Sequence, residues 1–120
     1  MNGIPIYTDS LFLEHDTGPG HPEKPARLEK SLAALKSASS LSGRLQWNTG
    51  RPATRTEILR CHKPGLFELV EKTRGLKGRI DTDTVHSEKS ADAALLAAGC
   101  LLSAVEACYG GEHPAAFCLA

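Results

Sequence analysis

The sequence predicts an α/β fold, the N-terminal portion of a parallel sheet flanked by helices. Three features predict it. Ile4–Thr8 is a short, apolar, β-rich run. Ser90–Tyr109 is a long stretch that is apolar nearly all round and stops at Gly110-Gly111. Pro114–Ala120 is a second continuous apolar run directly after that helix, as expected of a strand covered on both faces in a parallel sheet. Strand, helices, buried helix and strand make too few strands to cover these faces. The expectation is a truncated sheet whose remainder is supplied by residues beyond Ala120.

Composition sets the bounds. The chain has 120 residues, with 14 Lys+Arg balanced by 14 Asp+Glu and five His. Hydrophobic residues are 41%, and with the 11 Gly they make an ordinary globular share, which excludes a disordered tail. The balanced charge argues against direct nucleic-acid binding or attachment to a membrane surface, both of which favour a basic excess. A chain of this length makes one small domain. Aromatics are only 5%, so the core must be built from Leu, Ala, Val and Ile.

The elements follow in order. Glu14–Pro25 (EHDTGPGHPEKP) carries too many Gly and Pro for regular structure. Glu23–Ser37 reads as a helix, with Pro25 in its first turn and Leu28, Leu32 and Leu35 on one face. Leu45–Trp47 suits a short strand. Thr54–His62 reads as a short helix capped by Thr54 or Thr56. Pro64–Thr73 reads as another, with Leu66, Phe67, Leu69 and Val70 inward. Gly75–Lys89 is a long polar loop of the kind that usually serves function. Ser90 is the expected cap of the last helix, which is predicted to be buried on most sides. Asp92 and Glu106 leave it too polar for a membrane span.

The four cysteines, Cys61, Cys100, Cys108 and Cys118, form no C-x-x-C pair. They read as free thiols in a reducing compartment, and MNGIPIYTDS has no signal-peptide character. The expected location is cytoplasmic.

Several segments together resemble the zinc-dependent histone deacetylase family. The likeness is strongest to its class II branch, the bacterial histone deacetylase-like amidohydrolases and the acetylpolyamine amidohydrolases. The matching pieces are Tyr7-Thr-Asp9, His21-Pro-Glu-Lys-Pro-Ala-Arg27, Arg51-Pro-Ala-Thr54 with Glu57–His62, Ile80-Asp-Thr-Asp-Thr84, and Ala93–Gly99. Ala115–Ala120 is similar to the strand that in this family runs into an R-P-P-G-H-H segment. The resemblance covers nearly the whole chain in order, and 1–120 is identified as the N-terminal part of a single domain of that family.

The resemblance implies an arginase/deacetylase-type parallel sheet with helices on both faces. It implies hydrolysis of an acetyl amide on lysine or a polyamine. Zinc polarises the carbonyl and activates water. Histidines serve as general base and acid, and a tyrosine binds the oxyanion. The sequence contains neither a His-His pair nor a D-x-H. No catalytic residue and no ligand of the catalytic zinc is therefore assigned here; that zinc would be bound by residues absent from this chain.

Two residues carry over from the family. Asp83, in the Asp81–Thr84 loop, matches a tunnel-rim position whose carboxylate accepts hydrogen bonds from the substrate backbone. The plain alternative is an Asx-turn or a cap of the next helix, and Asp81 is its rival in the same loop. Arg27 matches an arginine lining the cavity behind the metal, where a guanidinium suits a carboxylate product. Its alternatives are a surface helix arginine or a structural pair with Glu23.

His15, Asp16 and His21 invite a metal reading. Some class II members hold a structural zinc in this loop with Cys and His, but this loop has no Cys, and His21 is expected to pin the loop by hydrogen bonding. His62 is expected to be structural, and His86 and His113 solvated. Two other functions compete with the deacetylase: a non-catalytic short scaffold or binding form of the same fold, and a small His/Asp metal module at His15–His21. The isolated chain is expected to fold poorly or to aggregate through an open sheet edge. Substrate identity and oligomeric state are not set by the sequence.

Overall fold

The computed structural model describes residues 3–120. Strands β1 (Ile4–Tyr7), β2 (Leu45–Asn48) and β5 (Phe117–Cys118) form a parallel sheet in the order β2-β1-β5. A two-residue antiparallel pair, β3 (Gly78–Arg79) with β4 (Val85–His86), closes the 78–86 hairpin. Helices α1 (Pro25–Ser37), α2 (Arg55–Ile58), α3 (Pro64–Lys72) and α4 (Ser90–Tyr109) complete the fold. Parallel neighbours need crossover connections, and α1 supplies the one between β1 and β2. The architecture is the predicted one, a parallel sheet flanked by helices.

Proline sits inside the central strand because of the register. The Ile4 and Thr8 amides donate to Arg44 and Asn48 on the β2 side, whereas the Tyr7 carbonyl accepts from Leu119 on the β5 side. Pro5, two residues from Tyr7, therefore turns its nitrogen toward β5. The β1–β5 pairing begins only at Ile6↔Phe117, so the missing N–H costs no ladder bond.

A 3-10 helix, Ser10–Glu14, follows β1. Asp9 starts it by accepting the Leu11 amide at 2.8 Å. The tight turn swings Phe12 into the core beside Leu28, Ala93, Leu96 and Cys100. Helix α1 starts at Pro25 rather than Glu23, with Lys24 as its cap residue. Thr54 caps α2 through a complete capping box with Glu57.

The segment following β2 lies tight against α4. The Ala53 amide donates to the Leu95 carbonyl at 2.9 Å. A Cβ on Gly99 would fall 1.5 Å from the Arg51 carbonyl oxygen, and one on Gly50 would fall 2.5 Å from Cys100 Sγ. Both glycines are required by this close approach. Arg51 reinforces the junction with paired bonds to Glu57, each 2.8 Å, and a third to Glu106 at 3.2 Å.

Four expectations are corrected. Helix α4 spans the predicted residues but buries only one side, through Ala93, Leu96, Cys100 and Ala104; Leu101 and Val105 are 58% and 55% exposed. Length and composition alone would let α4 cross a membrane; here its buried side packs on the 3-10 helix, β1 and β5. The run at Pro114–Ala120 is not a fully buried strand. Only Phe117–Cys118 is strand, it pairs with β1 alone, and Phe117 is 50% exposed. In α3, Leu66 and Leu69 face outward, because little of the chain packs over that helix. Ser90 is not the α4 cap: Lys89 holds that position, and the Ser90 hydroxyl turns back to Ser87 and His15.

Candidate functional site

The loop from His15 to Lys24 leaves the carboxyl end of β1. In open α/β sheets that end is where ligands bind. Glycines at positive φ, Gly18 (85°) and Gly20 (81°), let the loop fold back on itself. Asp16 accepts the Gly18 amide at 2.9 Å, and the Thr17 hydroxyl donates to the Glu23 carbonyl.

Two serines stitch the loop to the start of α4. The Ser87 hydroxyl donates to the Glu14 carbonyl at 2.7 Å and accepts the Asp16 amide at 3.0 Å. Ser90 Oγ accepts the Ser87 amide at 2.8 Å and lies 2.6 Å from His15 Nδ1. His15 Nε2 lies 3.3 Å from a Glu23 carboxylate oxygen. A carboxylate only accepts, so the neutral imidazole carries its proton on Nε2 and receives the Ser90 hydroxyl at Nδ1.

A cavity of about 250 Å³ opens beside this network. Phe12, Leu28 and Ala97 supply apolar wall, and His15, Glu23 and Arg27 supply polar lining. Ala120, just past β5, also lines it. Arg27 thus sits at the cavity, on α1. Arg27 is exposed on α1, and the pair with Glu23 is not formed: Glu23 precedes the helix and meets His15, and among the described residues no carboxylate lies within 4.0 Å of Arg27. A guanidinium on a small, partly apolar cavity can receive a small carboxylate.

Asp83 occupies an exposed turn between β3 and β4. The turn separates the two rival carboxylates. Asp81 Oδ1 accepts the amides of Asp83 (2.9 Å) and Thr84 (2.8 Å), which holds the Asp81 carboxyl below its usual pKa. Asp81 therefore makes the Asx-turn. Among the described residues the Asp83 carboxylate has no hydrogen-bond partner, while its backbone carbonyl lies 3.2 Å from His21 Nε2.

His21 thus pins the loop, as its place in the sequence suggested. His15, His21 and Asp16 do not converge. Each makes its own hydrogen bonds, and among the described residues no group of three or more His, Cys, Asp or Glu could hold a metal ion. The zinc implied by the resemblance has no fitting donor set among the described residues. His86 is not simply solvated, since its Nδ1 bonds the Leu76 carbonyl at 2.8 Å. Nor is His113, whose Nδ1 is buried. Sequence reasoning missed the serine–histidine–glutamate network. Its partners are far apart in the chain, and no local pattern marks them.

A parallel sheet with helices packed on it and a small cavity beside the loop after β1 defines an α/β domain. The model of the histone deacetylase domain matches residues 21–120. The chain belongs to the histone deacetylase family. Histone deacetylase 8 of Arabidopsis thaliana is 37% identical over 123 residues, covering 88% of this chain and 32% of that protein. An uncharacterized protein of Synechocystis sp. is 36% identical over 107 residues, covering 86% of this chain and 35% of that protein. The crystal structure of the HDA15 HD domain superposes with a TM-score of 0.90 at 28% identity, covering 98% of this chain and 35% of that one. The chain spans about a third of the length of the curated relatives it matches.

Proposed function

We propose that the protein is a cytoplasmic deacetylase, an amidohydrolase that cleaves an acetyl amide of lysine or of a polyamine, with zinc as its cofactor. Membership of the family supports the reaction class. The described residues offer no site for the metal, so their part in this reading is to bind and orient substrate and product. The general base and acid and the oxyanion tyrosine implied by the resemblance belong to other residues.

One observation carries the substrate-binding role. Asp81 shapes the turn by accepting two of its amides, and this leaves the neighbouring Asp83 carboxylate free and exposed. An acceptor-only group held in a shaped turn can receive N–H groups of an extended peptide, or the ammonium groups of a polyamine. Arg27, on the cavity wall, suits the acetate that hydrolysis releases. The cysteines are free thiols, which suits a reducing compartment.

The test is steady-state hydrolysis by the full-length protein of an acetyl-lysine peptide and of an N-acetylpolyamine. Turnover of either, with Asp83→Ala raising KM, supports the reading. Hydrolysis of neither by zinc-loaded protein overturns it.

A further inference from the structure

The turn that bears Asp83 is held in two separable ways. Bonds within residues 79–84 fix its shape. Asp81 accepts the Asp83 and Thr84 amides, Arg79 Nη1 donates to the Thr82 carbonyl at 2.9 Å, and the Ile80 amide donates to the Thr84 carbonyl at 2.9 Å. None of these fixes where the turn sits relative to the rest of the molecule. Among the described residues a single hydrogen bond joins Asp81–Thr84 to a distant segment, the contact of His21 Nε2 with the Asp83 carbonyl at 3.2 Å.

The protonation of His21 follows from its other side. The Glu23 amide donates to His21 Nδ1 at 3.1 Å, so the neutral ring keeps its proton on Nε2 and aims it at Asp83. Two residues beyond His21 is Glu23, whose carboxylate lies 3.3 Å from His15 Nε2 and which lines the cavity shared with Arg27. Two hydrogen bonds, Asp83 to His21 and His21 to Glu23, thus link the turn to the cavity wall.

We propose that His21 is a positioning residue that sets the placement of Asp83 relative to the cavity, and so the grip on substrates that engage Asp83. The proposal rests on the reading of Asp83 as the substrate-binding carboxylate. Losing the His21 bond leaves the shape of the turn intact but frees its position. Substrates that present N–H groups to Asp83 are then held less well, while the reacting acetyl group is handled as before.

The experiment uses the full-length protein and two substrates: an acetyl-lysine peptide with flanking amides, and a small N-acetylated alkylamine with none. His21→Asn keeps an acceptor near the Glu23 amide but withdraws the donor from Asp83. His21→Gln reaches far enough to restore that donor. The expected result is a rise in KM for the peptide of about three- to tenfold in H21N, as one net hydrogen bond would give. kcat is unchanged, the small substrate is unaffected, and H21Q recovers most of the loss. The double variant H21N/D83A should be no worse than D83A alone. Equal losses in H21N and H21Q, equal losses on both substrates, or additive losses in the double variant overturn the positioning role. If D83A leaves the peptide KM unchanged, the reading of Asp83 fails and the proposal fails with it. If D83A acts and H21N does not, the proposal alone is lost.

Discussion

His15 Nδ1 and Ser90 Oγ lie 2.6 Å apart although the residues are separated by 75 positions in the chain. This contact ties the first loop after β1 to the first residue of α4. Ser90 is buried, and its hydroxyl also accepts the amide of the buried Ser87. Ser90→Ala leaves that amide without its partner. The expected cost is roughly 1–3 kcal/mol of stability, read as a lower urea midpoint with an unchanged slope in the full-length protein. A midpoint equal to wild type would show that water replaces the hydroxyl.

Gly99 faces the Arg51 carbonyl so closely that no side chain fits without moving backbone. Gly99→Ala should destabilise more than an ordinary overpacked core site, by about 3 kcal/mol or more, because backbone rather than a flexible side chain must give way. Gly65, which meets nothing within 4 Å, is the control. Gly65→Ala should be neutral or slightly stabilising in α3. Equal thermal midpoints for the two variants would contradict the close packing.

The Arg51–Glu57 pair carries a pH signature. Arg51 and the Thr54 backbone amide hold the Glu57 carboxyl down to about 2, although its side chain keeps only 13% of its exposure. A depressed carboxyl stabilises the fold at pH values above its unfolded pKa. That contribution is lost as pH falls from the ordinary value of 4.5 toward 2. Glu57→Gln should lower stability at neutral pH and flatten the acid limb of the stability curve over this interval. Parallel curves for wild type and variant across that range would remove the pair from the account.

Asp81 and Asp83 should separate by function. Asp81→Asn retains an acceptor oxygen for the two turn amides and should be mild, whereas Asp81→Ala unties the turn. The expected order for peptide KM in the full-length protein is wild type, then D81N, then D81A, with kcat little changed. If D81N proves as damaging as D83A, the Asp81 carboxylate itself contacts substrate.

Much of the fold was legible because local chemistry set it. Ile4–Thr8 and Leu45–Trp47 are β-rich runs bounded by polar turn residues, and both became strands of the parallel sheet. Pro25, Pro64 and Thr54 mark helix starts by their own covalent or hydrogen-bonding properties, and the structure uses all three. Burial was less legible. The apolar circumference of α4 says that Leu101 and Val105 tolerate burial, not that anything covers them, and here they are exposed. Phe117 is similar: hydrophobicity predicts a strand, but the number of neighbouring strands decides whether its face is covered.

The sequence by itself determined the order of elements, the α/β class and the segments that resemble histone deacetylases. Each depends on residues close together in the chain, where spacing and side-chain chemistry act directly. Tertiary structure alone decided that His15 meets Ser90 across 75 positions. It also decided that Glu23 meets His15 rather than Arg27, and that His21 reaches Asp83 across 62 positions. Hydrogen bonds require donor and acceptor within about 3 Å. For residues so far apart, that proximity is created only when α1, the hairpin and α4 pack around the loop after β1.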